Sequence, residues 1–364
     1  MIINGNETTE LILLTLALSI AIDLIFGELP SKIHPVVFIG KLIDFFKRPI
    51  INFNNKFSGL VLTILVSIAY LTILSAILIL ASFNIIVFTI IASILLSSTF
   101  SIKMLLSSAK EIKNDLEKGI DIARKSLSYL VSRDTTKLSE KLIISATIET
   151  LSENITDSVI APIFYYIIAN IAIIFVFKLL IVFTFISSSS NLFLSQSFLI
   201  FGQISISEDV FIVIIAILIA SFFRIINTLD AMVGYKNEKY MNIGYFPAKV
   251  DDILNYIPAR LGGVMVVLAT IFYKKPTMDW KNSFKIMRRD ARKPPSPNSG
   301  FTMASVAGAL GICLVKKETY VIGDDNRELN REDIAKAIEL SELAIFLFIL
   351  FLIVLFFIIS IIMF

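Results

Sequence analysis

The chain has 364 residues, 56% of them hydrophobic, and a mean hydropathy of +0.82, above the range of soluble domains. Its 33 Lys and Arg against 30 Asp and Glu leave a net charge of +3, too even a balance for a nucleic-acid-binding surface. The lone cysteine, Cys313, excludes a disulfide framework and a thiolate zinc cluster, and the lone histidine, His34, excludes multi-histidine metal sites.

Apolar stretches long enough to cross a bilayer lie near 10–26, 60–81, 85–102, 160–183, 209–226 and 342–364, so about six transmembrane helices are expected. The first lacks a basic n-region and a small-residue cleavage site, and reads as a span rather than a signal peptide. Segments 1–10, 82–84 and 184–208 contain no Lys or Arg, whereas loops 27–59, 103–159, 227–259 and 274–341 hold nearly all of them. The positive-inside rule makes those four loops cytoplasmic and both termini external. Lys178, late in the fourth span, is the exception and can snorkel. The apolar run at 261–273 is too short to cross, and with 301–315 it is expected as a re-entrant or interfacial helix. The expectation is an all-α, polytopic integral membrane protein of the cell membrane, one membrane domain over 1–364, whose cytoplasmic helical loops form the active surface. The Ser187–Ser190 run reads as a solvated turn, and contact with anionic membrane lipids accounts for the slight basic excess.

The polar clusters lie in the inner loops. His34 precedes Pro35, which forces an extended backbone there, and is the one imidazole available as acid or base near neutral pH. In RDTTKL, Arg133 and Asp134 read either as functional residues or as a capping pair with Asp134 as N-cap. In the stretch that follows, Glu149, Glu153 and Asp157 recur every four residues, three carboxylates on one helical face. Such a stripe either holds a divalent cation, Mg²⁺ above all, or is an acidic face paired with Lys137 and Lys141.

Arg224, Asn227 and Asp230 follow one another by about a turn at the inner end of the fifth span, where a charge is costly and marks a site. Asp251 and Asp252 point about 100° apart on a helix, and Asn255 shares the face of Asp251. Pro258 is expected to break that helix before Arg260, while Gly262 and Gly263 permit close backbone approach. Arg288, Arg289, Arg292 and Lys293 then precede SPNSG and a helix expected near Phe301, a suitable arrangement for an anion or for lipid headgroups. No phosphate loop, dinucleotide fingerprint or nucleophile elbow is present.

The ordered set HPVVFIGKLI, VSRDT, IETLSENITDSVIAPIFYY, NTLDAMVGYKNEKY, AKVDDILNYIPARL and RRDARKPPSPNSG resembles the adenosylcobinamide-phosphate synthase family of cobalamin biosynthesis, the CobD/CbiB type, over roughly 20–312. The sequence departs from it in carrying Phe223 where relatives have Tyr before the matching Arg224, and in a longer segment preceding that pair. The resemblance implies an ATP-dependent ligase that joins adenosylcobyric acid, the corrinoid substrate, to (R)-1-aminopropan-2-ol phosphate or a related amino-alcohol, giving adenosylcobinamide phosphate. It also implies contact with other corrinoid-pathway enzymes.

In that chemistry a carboxylate must be activated before an amine attacks, so acids for Mg²⁺ and guanidiniums for phosphoryl charge are required. The expected Mg²⁺ ligands come from Glu149, Glu153, Asp157, Asp230, Asp251 and Asp252. Arg133, Arg224, Arg260, Arg289 and Arg292 would orient phosphates. Asn154, Asn227 and Asn298 would bond nucleotide or corrin amides, with a general base among Glu153, Asp230, Asp252 and His34. The competing expectations are a Mg²⁺-dependent phospholipid or polyprenyl transferase, and a corrinoid transporter or membrane sensor.

Overall fold

The computed structural model describes residues 5–53, 55–186, 206–234, 240–273 and 278–363. The Ser187–Ser190 run, Lys274, Lys275 and the YKNEK part of NTLDAMVGYKNEKY lie outside them. The first half of the chain forms α1 (Gly5–Phe26), α2 (Pro35–Ile50), α3 (Lys56–Ala81), α4 (Ile85–Ser97), α5 (Ile102–Lys118), α6 (Ile120–Ser128) and α7 (Glu140–Ile155). A π-turn, Thr156–Ile160, joins α7 to α8 (Ala161–Ile186). Then follow α9 (Glu208–Val233), α10 (Tyr245–Leu254), α11 (Tyr256–Phe272), α12 (Trp280–Asp290), α13 (Gly300–Leu310), the strands β1 (Cys313–Lys316) and β2 (Tyr320–Gly323), and α14 (Arg331–Met363).

Six helical stretches are long and apolar enough to cross a membrane: Asn6–Phe26, Lys56–Ala81, Ile85–Lys118, Glu140–Leu179, Glu208–Val233 and Arg331–Met363. The pair α10 and α11, bent by 46°, makes a seventh if counted as one broken span. The expected short apolar segment is thus a full 17-residue helix, because it begins at Tyr256 rather than 261. Pro258 does not break it. Proline is tolerated in the first helical turn, where its missing N–H has no intrahelical partner to lose, and the bend falls at Asn255 instead.

Helix starts follow side-chain chemistry. Asn55 Oδ1 accepts from Ser58 N at 2.7 Å to open α3, and Asn84 Oδ1 accepts from Ile86 N and Val87 N to open α4. Asp279 does the same for α12 through Lys281 N and Asn282 N. Asp134, by contrast, is no N-cap: its Oδ1 accepts from Thr136 N and Oγ1 in a local turn, and Ser139 precedes α7.

The contacts divide between two compact units interleaved along the chain. One comprises Met1–Phe100, Pro162–Ala248 and Leu352–Phe364. There α1 packs on α4, and α9 packs on α3 and α2, around Ile12, Leu16, Leu62, Phe88, Tyr166 and Phe223. Outward apolar side chains such as Leu80, Phe83, Ile86 and Ile361 remain exposed, as on helices whose solvent is lipid.

The other unit comprises Ser101–Ala161 and Lys249–Phe351. Its centre is α13, buried along nearly its whole length against α7, α11, α12 and β2. Its Gly, Ala and Ser residues permit that. A Cβ at Gly262 of α11 would stand 2.8 Å from Ile160 Cδ1 and 3.0 Å from Thr302 Cγ2. Gly311, at φ +62°, ends α13 in the left-handed conformation that a side chain disfavours. The all-α pattern then gives way to one antiparallel hairpin, Cys313 opposite Gly323 and Lys316 opposite Tyr320.

Candidate active site

In the first unit His34 caps α2, its Nδ1 accepting from Val36 N at 3.1 Å, with Pro35 at the first helical position. Burial pushes the imidazole below its ordinary value, and Arg224 adds to this against the opposing pull of Glu28. The ring is therefore neutral near pH 7, with the Nδ1 lone pair committed to Val36 N and the proton on Nε2, which is left as a hydrogen-bond donor. Arg224 Nη1 donates to Asn227 Oδ1 at 3.3 Å on α9, the one-turn relation expected from their spacing. Asp230, a further turn on, ends the same helix face.

The second unit holds three polar groups of its own. Glu149 on α7 is 1% exposed and uses both carboxylate oxygens: Oε1 accepts from Ser145 at 2.8 Å, and Oε2 from Arg133 at 2.6 Å and from the Tyr320 hydroxyl at 3.0 Å. Burial and the Glu149 carboxylate push the Tyr320 hydroxyl up, keeping it a donor. Ser145 Oγ also accepts from Val315 N, so the hairpin is tied to α7 at two points. Glu153, one turn on, is half-buried and feels Lys316, Glu149 and Arg133. Asn154 Nδ2 bonds back to Thr150 O at 2.8 Å. Asp157 falls in the π-turn, whose wider turn takes it off strict α spacing from the other two acids.

The second group surrounds the α10–α11 bend. Asn255 Nδ2 donates to Asp251 Oδ2 at 3.0 Å, as their shared face requires. Asn298 Nδ2 donates to Asp252 O at 2.7 Å, and its Oδ1 accepts from Arg260 Nη1 at 3.2 Å. The Arg260 guanidinium lies 3.4 Å from the Tyr256 ring centroid and 4.4 Å from that of Phe301, held between two aromatic faces. Arg292 is exposed and near enough to act electrostatically on Arg260. Arg260 thus stands by Asn298, two residues before α13 begins.

The third group is a lock. Asp290 is fully buried and accepts from Arg289 Nε and Nη2, from Lys293 and from Gly323 N. Arg289 also reaches Asp324 at 2.7 Å. Those two acids hold its guanidinium further up and neutralise it, so Arg289 fastens the hairpin to α12 rather than standing open to an anion.

A family model described as CobD/Cbib protein matches residues 16–182 and 206–341. The chain belongs to the CobD/CbiB family. It is 41% identical over 334 residues to the probable cobalamin biosynthesis protein CobD of Methanothermobacter thermautotrophicus, which covers 92% of this chain and 94% of that one. With the probable cobalamin biosynthesis protein CobD of Methanococcus aeolicus it shares 37% over 325 residues, 87% of this chain and 89% of the other. The cobalamin biosynthesis protein CobD of Dehalococcoides mccartyi is 33% identical over 324 residues, again 87% and 89%. No solved structure matches the chain.

The CobD/CbiB match reaches Tyr320, Asp290 and Asp324, none of which sequence reasoning selected. Tyr320 bonds a carboxylate 171 positions away, and no spacing rule signals that. Asp290 was legible only as one acid among arginines. For magnesium, no group of three or more His, Cys, Asp or Glu placed to hold a metal occurs among the described residues. The chemistry still fits, because Mg²⁺ is commonly carried by one or two carboxylates with substrate phosphates completing its shell.

Proposed function

We propose that this CobD/CbiB protein carries out the amide-forming step of cobalamin biosynthesis, joining adenosylcobyric acid to an amino-alcohol phosphate at the expense of ATP. The observation that carries the reading is the cationic corner before α13: Arg260, fixed between Tyr256 and Phe301 and bonded to Asn298, with Arg292 beside it. A guanidinium held flat between rings keeps its fork in one orientation, which suits a phosphoryl group whose charge grows during transfer.

Within this reading Arg133 is a second phosphate contact, aimed by Glu149. Asn154 and Asn227 serve as amide partners for nucleotide or corrin, Arg224 as a phosphate contact, and His34 as a hydrogen-bond donor to a reactant through Nε2–H. Glu153, Asp157 and Asp252 of the second unit are carboxylates fitted to magnesium, whose contribution is to neutralise phosphoryl charge, and Asp230 of the first unit is a carboxylate of the same kind. Glu149 is left out of that set because three donors already occupy its oxygens.

The test is product analysis with the purified protein, adenosylcobyric acid, an amino-alcohol phosphate, ATP and Mg²⁺. Formation of adenosylcobinamide phosphate, with single-turnover rates that collapse in Asp230→Asn or Asp252→Asn, is the expected result. Normal rates in both variants at every Mg²⁺ concentration would refute the residue assignment. A lipid product from prenyl diphosphate, or vesicle uptake of unchanged corrinoid, would refute the reaction itself.

A further inference from the structure

Asn255 sits at the bend between α10 and α11, 1% exposed, with its side-chain oxygen lacking any donor among the described residues. Its orientation is fixed by chemistry. Nδ2 lies 3.0 Å from Asp251 Oδ2, and a carboxylate accepts but does not donate, so the amide cannot be turned the other way. Nor does Oδ1 do the ordinary work of an N-cap. Counting from Asn255, the third helical residue is Pro258, which has no N–H, and no cap bond to the side chain forms. A buried acceptor left in that state is costly unless something outside the chain supplies a donor.

What stands nearby narrows the donor. Long helical side chains lean toward the helix N-terminus, and Arg260 does so: its Nη1 donates to Tyr256 O at 2.6 Å and its plane covers the Tyr256 ring. The guanidinium therefore lies over the first turn of α11, the turn that Asn255 opens. Both of its hydrogen bonds use Nη1, so Nε and Nη2 have no acceptor among the described residues. Arg292 adds a second positive charge, whereas Arg289 and Lys293 are already paired with Asp290 and Asp324. An amide oxygen and a carboxylate at one end, with unfilled guanidinium donors at the other, match a zwitterion. A divalent cation fits less well, because two guanidiniums stand beside it and no third protein carboxylate joins the group.

We propose that Asn255 Oδ1 and the Asp251 carboxylate receive the primary ammonium of an aminoalkyl phosphate whose phosphate rests on Arg260 and Arg292. Asn255 and Asp251 are then the residues that select an amine-bearing phosphate over one without an amine. The identity of that ligand as the amine substrate rests on the ligation reading above; the binding chemistry does not. The headgroup of phosphatidylethanolamine carries the same two charges, so the test separates the two sources.

The experiment compares binding of O-phosphoethanolamine and ethyl phosphate to the full-length protein in phosphatidylglycerol nanodiscs by calorimetry. The wild type is expected to prefer the amine-bearing ligand by about tenfold or more, the scale of one charge-assisted contact. Asn255→Leu and Asp251→Asn should each remove most of that preference while ethyl phosphate affinity stays within about twofold, and Arg292→Gln should weaken both ligands alike. Equal binding of the two phosphates by the wild type overturns the proposal, even if no variant folds. So does an Asn255→Leu protein that keeps the preference, or Mn²⁺ binding without phosphate that disappears in Asn255→Leu. Loss of O-phosphoethanolamine binding in phosphatidylethanolamine discs gives the pocket to the lipid headgroup and overturns its use for a soluble substrate. A wild type that shows the preference yet makes no adenosylcobinamide phosphate refutes the ligation reading alone; ligation without the preference refutes this site alone.

Discussion

The Tyr320 hydroxyl donates to Glu149 Oε2 across 3.0 Å, joining the second strand of the hairpin to a buried acid 171 positions earlier. Ser145 and Arg133 complete the set, so one carboxylate collects three donors from three parts of the second unit. Removing a donor should cost according to the charge it leaves behind. Tyr320→Phe should lower stability by about 1–2 kcal/mol, because Arg133 still neutralises the acid. Arg133→Ala should cost more, about 3 kcal/mol, since it strands a buried charge, and Arg133→Lys should recover part of that. Unfolding of the detergent-solubilised variants provides the measurement, and a reversed order of Tyr320→Phe and Arg133→Ala would show that Glu149 is not held as a charge.

Asp290 gives a pH signature. Burial alone would raise its carboxyl, but Arg289, Lys293 and Gly323 N outweigh burial and bring it from 3.8 to about 2. A folded value below the unfolded one means stability that is complete above about pH 4 and is lost as pH falls through about 2. The contribution is on the order of 2 kcal/mol. The melting temperature of the wild type should therefore fall between pH 4.5 and pH 2.5, roughly the window set by these two values. Asp290→Asn should start lower and change less over the same range. Parallel pH profiles for the two proteins would contradict this account.

Gly262 tests helix packing. Its absent side chain lets α11 approach both the π-turn and α13, and a Cβ would stand 2.8 Å from Ile160 Cδ1 and 3.0 Å from Thr302 Cγ2. Both neighbours are side-chain carbons that can yield a little, so Gly262→Ala should cost about 1–3 kcal/mol and remain folded, whereas Gly262→Leu should not accumulate. Expression and thermal melts distinguish these outcomes. An alanine variant as stable as the wild type would mean that the helices stand further apart.

What could be read from the sequence depended on range. The six long apolar stretches announce themselves by composition alone, because a bilayer imposes length and polarity on every residue of a span. Asn227 on Arg224 and Asn255 on Asp251 were also legible, being one helical turn apart. The partner of Arg289 was hidden for the opposite reason: Asp324 lies 35 positions on, past a hairpin that no periodicity reveals. The hairpin itself is two four-residue strands, too short for alternation to stand out against neighbouring apolar helices. The bend at Asn255 was shifted to Pro258 because proline is read as a breaker, although in a first helical turn it costs little.

Arg260 separates charge from shape. Its guanidinium is flanked by Tyr256 at 3.4 Å and Phe301 at 4.4 Å, and Nη1 is shared between Tyr256 O and Asn298 Oδ1. Lysine would keep the positive charge but lose the planar stacking and the fork that can offer Nε and Nη2 together to a phosphate. If Arg260 grips phosphate through that fork, Arg260→Lys should raise KM for the phosphorylated substrate about tenfold or more, with a smaller change in kcat, and Arg260→Ala should go only modestly beyond it. If the charge alone matters, lysine should restore nearly wild-type kinetics and alanine should not. Steady-state measurements on the two variants at matched ionic strength decide between these, since screening would otherwise mask a purely electrostatic contribution.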